Sequence, residues 1–90
     1  MIEREVSVDY SERFLKHLRH LPKRLIEQAN DKEAIFRSNP FDPRLDTHKL
    51  HGKDRDSWSF SASHKYRIKF LFINDIKILF LDIGKHDIYQ

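Results

Sequence analysis

The C-terminal run Gly84-Lys85-His86-Asp87-Ile88-Tyr89 places a histidine, a carboxylate and a phenol within four residues. Histidine changes protonation near neutral pH and is the natural acid or base, while tyrosine can donate a proton or stack on a base. The plain alternative is a polar tail that does nothing. A second group, His48-Lys49-Leu50-His51-Gly52, carries two histidines three apart. That spacing suggests a metal pair, but on a strand the two rings point to opposite faces, so one site cannot easily use both. No metal and no cofactor are therefore expected. His17, His20 and His64 read as surface residues.

Charge concentrates around these groups. Between Arg44 and Lys69 lie seven basic residues (Arg44, Lys49, Lys53, Arg55, Lys65, Arg67 and Lys69) against Asp46, Asp54 and Asp56, a net charge of +4 before the histidines are counted. Such a segment suits a polyanion, either nucleic acid or an acidic protein, or is an ordinary solvated surface. The chain has no cysteine, which excludes disulfides and thiolate metal sites and fits a reducing compartment. The apolar-rich run from Ile68 to Ile83 is interrupted by Lys69, Asn74, Asp75, Lys77 and Asp82, so no membrane span is expected. The N-terminus alternates apolar and charged residues, unlike a signal peptide, and a soluble cytoplasmic protein is expected.

Ninety residues suffice for one domain, 1–90, with a thin core. Ile2 to Val8 reads as a first strand. Asp9 and Glu12 have the form of a capping box, followed by Phe14, Leu15, Leu18 and Leu21 at helical spacing, which predicts a helix over about Tyr10 to His20. Pro22 suits the first turn of a second helix, with Leu25, Ile26, Ala29 and Phe36 apolar. That helix must stop near Ser38, because the residue before Pro40 is pushed out of the α region. Thr47–His51 and Trp58–Ala62 read as strands. Tyr66–Ile73 and Ile76–Ile83 read as two more, joined by a two-residue Asn74-Asp75 turn. The expected fold is an α+β sandwich, with a two-helix hairpin on one face of an antiparallel sheet.

The turn predicts a register. Arg67 would face Asp82, and Ile68, Phe70, Phe72, Leu79 and Leu81 would form the face under the helices. Arg67 and Lys69 would then lie on the open face. A three-residue connection from Ala62 to Tyr66 would put Trp58 and Phe60 toward the core and Ser59 and Ser61 beside Arg67 and Lys69; a two-residue connection would reverse this.

Four pieces in this order resemble the RelE/ParE toxin superfamily of type II toxin–antitoxin systems: Asn39-Pro40 after the helical hairpin, His48-Lys49-Leu50-His51-Gly52, Tyr66-Arg67-Ile68, and Ile83 to Tyr89. Each is weak alone; the set spans essentially the whole chain. The Ile83-Gly84-Lys85-His86-Asp87 ending is most similar to the YafQ-like mRNA interferase branch. That resemblance implies a metal-independent endoribonuclease, cutting mRNA commonly on the ribosome, and restrained by a cognate antitoxin. The toxin itself would be a monomer within the larger toxin–antitoxin complex.

Carried over by position, the resemblance makes Arg67 the phosphate contact and His48 and His86 the acid–base pair, with Asp87 and Tyr89 beside them. Lys49, His51, Lys53, Arg55, Ser59, Ser61 and Lys69 would hold the RNA. Ser59 and Ser61 stand where the best-known branch has lysines, so lysine-based proton transfer cannot be transferred here. Ala62 and Tyr66 offer no equivalent of a further histidine and aspartate of the YafQ-like pattern. RNA brings its own nucleophile, the ribose 2′-OH, so the protein need supply only a base, an acid and positive charge. Acid–base help is worth roughly 10²–10⁴-fold for each group. Two other readings are a ParE-like gyrase inhibitor without nuclease activity and a degenerate toxin that only binds antitoxin. The paired histidines favour the enzyme.

Overall fold

The helical hairpin is built by two local signals. Ser11 is extended and its Oγ accepts from Phe14 N at 3.0 Å, which caps the first helix, α1 (Glu12–Arg19). Pro22 then precedes the second, α2 (Lys23–Ser38), which ends where Asn39 turns extended before Pro40. A computed structural model describes residues 5–88 of the chain. In it β1 (Ser7–Tyr10) precedes the helices, and β2 (His48–Lys49), β3 (Trp58–Ser61), β4 (Tyr66–Phe72) and β5 (Lys77–Lys85) follow. Short 3-10 turns occupy Pro43–Leu45, Gly52–Asp54 and His86–Ile88.

The five strands form one sheet in the order β1-β5-β4-β3-β2, so the helical hairpin carries the chain from one edge of the sheet to the other. The sheet is mixed and not purely antiparallel, because β1 runs parallel to β5 with Ser7 opposite Lys77 and Tyr10 opposite Phe80. Alternation in the sequence does not distinguish the two directions. Of the expected first strand, Ile2, Glu3 and Arg4 lie outside the described residues. The strand itself continues to Tyr10, which moves the helix start past Asp9. Asp9 pairs with Leu79 in the ladder, and Ser11, not Asp9, is the cap.

Both helices pack on one side of the sheet. Phe14 from α1 and Ala29 and Phe36 from α2 are buried with Phe60, Ile68, Phe70, Ile78, Phe80 and Ile83. The Phe36 ring stacks on Phe60 at 4.6 Å and meets Phe70 and Phe80 edge-on. Each buried phenylalanine contributes about 1.5–3 kcal/mol by removal from water, so this cluster dominates a small core.

The β4–β5 register departs from the expected one. Asn74 Oδ1 accepts from both Ile76 N and Lys77 N at 3.0 Å, while Ile73 N and Asn74 N donate to Lys77 O. The loop therefore holds three residues, 74 to 76, and Phe72 faces Ile78. One extra residue exchanges the faces of β5. Ile78 and Phe80 enter the core, Leu79 and Leu81 are only half-buried, and Phe72 packs at the core's margin. A bulge opposite Lys69 and Phe70 shifts the register once more, so Arg67 faces Gly84 and Lys69 faces Asp82. Asp82 instead meets α1, accepting from His17 Nδ1 at 2.5 Å and pairing with Arg13 at 3.2 Å. Arg67 has no contact with it among the described residues. His17, expected at the surface, is thus half-buried at a helix–sheet joint.

The β3–β4 connection has the expected form. Ala62 N donates to Tyr66 O, leaving three residues in the loop, and Phe60 faces the core while Ser59 and Ser61 share the other face with Arg67.

Candidate active site

Arg67 is the centre of the open face and is almost entirely enclosed, its side chain 2% exposed. Alternation with Ile68 and Phe70 sends it away from the helices, and its cross-strand neighbour Gly84 contributes no side chain there. Ser59 Oγ accepts from Nε at 2.9 Å and Ser59 O from Nη2 at 3.1 Å. Asp46 O accepts from Nη2 at 2.6 Å, and Asp46 Oδ2 lies 3.4 Å from Nη1. Burial lowers the pKa of the guanidinium and Asp46 opposes that fall, so the group remains a cation.

His48, on β2, puts Nδ1 3.2 Å from Arg67 Nη2 and 3.1 Å from Asp46 O. Both Nη2 protons already have carbonyl acceptors. The bonding pattern therefore assigns the His48 proton to Nδ1, donating to Asp46 O, and leaves Nε2 as the acceptor of the neutral ring. Asp46 holds both groups through one carbonyl. Its backbone is left-handed (φ 49°, ψ 47°) and closes the 3-10 turn after Pro43.

Beside Arg67 opens a cleft of about 570 Å³. Arg44 and Asp46 form one side and Ser61, His64 and Lys65 of the β3–β4 hairpin another; Lys85, His86 and Asp87 complete it from the end of β5. His86 N donates to Lys65 O at 2.6 Å, which ties the chain end to the hairpin. His86 and Asp87 are exposed. Four Lys/Arg against two Asp make the cleft cationic. Arg44 is held by a two-pronged pair with Asp42, at 3.0 Å and 2.9 Å, and this arginine keeps the Asp42 carboxyl at about 2.

The fold thus brings together Arg67, Ser61, His86 and Asp87 in one cleft and sets His48 beside Arg67, on the same Asp46 carbonyl, outside the cleft lining. Tyr89 lies outside the described residues. Ser59, expected to hold RNA, is fully buried beneath Arg67 and supports that residue instead. Ser61 Oγ is turned to Ser63 O at 2.9 Å. Lys49, His51, Lys53 and Arg55 are exposed around β2 and the following turn, away from the cleft lining; Lys69 is half-buried on β4. The cleft residues that sequence reasoning left aside are Arg44, Asp46, His64, Lys65 and Lys85. Only their concentration of charge was a signal, and Asp46 counted against it. Among the described residues no three His, Asp or Glu are grouped to hold a metal ion, and no helix is long and apolar enough to cross a membrane.

No protein-family model matches the sequence, and no curated protein matches it. Solved structures do. The toxin–antitoxin complex RelBE2 from Mycobacterium tuberculosis contains a chain matched with a TM-score of 0.76 at 16% identity, over 91% of this chain and 99% of that one. The DinJ–YafQ toxin–antitoxin complex of E. coli matches with a TM-score of 0.72 at 15% identity, over 93% and 96%. The archaeal RelE–RelB complex from Pyrococcus horikoshii OT3 matches with a TM-score of 0.70 at 23% identity, over 90% and 94%. The fold is that of the RelE and YafQ toxins.

Proposed function

Taking the fold shared with the RelE and YafQ toxins as the premise, we propose that this chain is the toxin of a type II toxin–antitoxin pair and an endoribonuclease acting on mRNA, on the ribosome, in the cytoplasm. The observation that carries the reading is the cationic cleft with His86 on its wall and Arg67, with His48 beside it on the same Asp46 carbonyl, at its inner end. The scissile phosphate sits in that cleft. The ribose 2′-oxygen attacks phosphorus as a base takes its proton, and the P–O5′ bond breaks as an acid protonates the leaving oxygen. Products are a 2′,3′-cyclic phosphate and a 5′-hydroxyl.

His48 and His86 are the acid and base in this scheme, and Arg67 with Lys65 and Lys85 faces the charge that develops on phosphorus. Asp87 and Tyr89 follow His86 in sequence. The exposed Lys49, His51, Lys53 and Arg55 hold the RNA backbone or ribosomal RNA beyond the cleft, and their contribution falls with salt. A cognate antitoxin that covers the cleft is the partner, in keeping with the complexes in which the similar chains occur.

One observation favours a second reading. Arg67 is occupied by protein acceptors, as a residue would be in a domain that only binds a protein, such as a gyrase inhibitor. Induction of His48→Ala and His86→Ala variants in cells separates the two. The nuclease reading expects both to lose most growth inhibition and mRNA cleavage. Toxicity that survives both changes and disappears with resistant gyrase replaces it with the binding-only reading.

A further inference from the structure

Arg67 keeps three kinds of partner, and they are not equivalent. Ser59 Oγ is fully buried and the two carbonyls on Nη2 belong to the backbone. The fourth partner, the Asp46 carboxylate, makes one long contact of 3.4 Å from a side chain 75% exposed. Asp46 also lines the cleft into which a ligand would enter.

We propose that the Asp46 carboxylate is a resident anion at Arg67, holding the place that a phosphate oxyanion takes when ligand enters the cleft. The proposal rests on the reading of the cleft as an RNA site. A guanidinium this enclosed needs a counter-charge, and Asp46 supplies one in the free protein. The supply is loose: an ion pair with one exposed partner is weak and readily exchanged. A phosphate oxyanion offers more negative charge to the Nη1 protons, the ones not held by Ser59 and the Asp46 carbonyl, and displaces the carboxylate. The exchange leaves the rest in place, because the left-handed backbone at residue 46 keeps its carbonyl on Nη2 and on His48 whatever the carboxylate does. Asp46 thereby sets the affinity of the site, and an anion too weak to displace it does not reach Arg67.

Inorganic phosphate is the probe, read by the Arg67 Nε–H signal in ¹⁵N NMR titrations of the intact protein. Asp46→Asn removes the charge and keeps a side chain that tolerates the left-handed backbone. It should bind phosphate about 2- to 5-fold more tightly than the wild type, the scale of losing one exposed ion pair. Asp87→Asn removes an equal charge from the same cleft, makes no hydrogen bond or ion pair with Arg67 among the described residues, and should gain less than about 2-fold. Equal gains from Asp46→Asn and Asp87→Asn, or none from Asp46→Asn, overturn the proposal. A parallel titration uses an RNA oligonucleotide with 2′-deoxy sugars. If phosphate binding improves in Asp46→Asn but neither protein binds the oligonucleotide, the resident anion stands and the RNA reading falls.

Discussion

Ser59 accepts two hydrogen bonds from Arg67, one on its hydroxyl at 2.9 Å and one on its carbonyl at 3.1 Å. The pair fixes the guanidinium plane against β3 and aims its remaining edge at Asp46 and the cleft. A short side chain under a long one is a consequence of the three-residue β3–β4 loop, which puts both residues on the same face.

Replacing Ser59 by alanine leaves the buried Arg67 Nε–H without an acceptor. The expected loss is about 1–3 kcal/mol of stability, with reduced RNA cleavage in the fraction that stays folded. Urea unfolding measures the first. An unfolding midpoint equal to that of the wild type would show that the hydroxyl does not hold Arg67.

Phe36 is fully buried between Phe60, Phe70 and Phe80, and its loss opens a cavity where α2 meets the sheet. Phe36→Ala should cost about 3–5 kcal/mol, a large part of what a domain this size has. Circular dichroism should show it partly unfolded at 37 °C. A melting temperature within a few degrees of the wild type contradicts the packing described.

Much of this was legible in the sequence. The helical hairpin followed from Pro22, Pro40 and the apolar spacing, and the placing of Arg67 away from the helices followed from alternation with Ile68 and Phe70. The partner of Arg67 did not follow. It depended on the length of the turn after Ile73, and that length is set by Asn74 Oδ1 gathering two backbone N–H groups, which residue types alone do not reveal. A bulge then moved the far end of the strands again, giving Asp82 to α1. Asp46 was unreadable for a related reason: its role depends on a carbonyl and a positive φ, and neither leaves a mark on residue type. Ser59 was assigned to RNA because a three-residue loop would put it on the open face, while nothing in the residue types showed its depth.

The Asp42–Arg44 pair at the cleft rim makes a pH prediction. Hydrogen bonds from the Arg44 side chain, and then from its backbone, hold the Asp42 carboxyl at about 2, below its ordinary 3.8. A depressed carboxyl stabilises the fold above the unfolded value, and that contribution disappears as pH falls from about 4 through about 2. Carbon NMR titration of the Asp42 carboxyl should give a midpoint near 2 in the wild type and a higher one in Arg44→Ala, which keeps the backbone hydrogen bond to the carboxylate. A wild-type midpoint near 3.8 means the pair is not formed in solution.

The central claim is that the ribose hydroxyl attacks with histidine help, and one measurement meets it directly. Ribosomes programmed with an mRNA cut by the wild-type protein are compared with ribosomes carrying the same mRNA with a single 2′-deoxy sugar at the cut site. The all-ribose mRNA should be cleaved to a 2′,3′-cyclic phosphate and a 5′-hydroxyl, and the deoxy mRNA should resist. His86→Ala should slow cleavage of the all-ribose mRNA by at least about 10²-fold without loss of folded protein. Equal cleavage of the deoxy and ribose mRNAs would contradict the account, because the nucleophile would then not be the ribose hydroxyl.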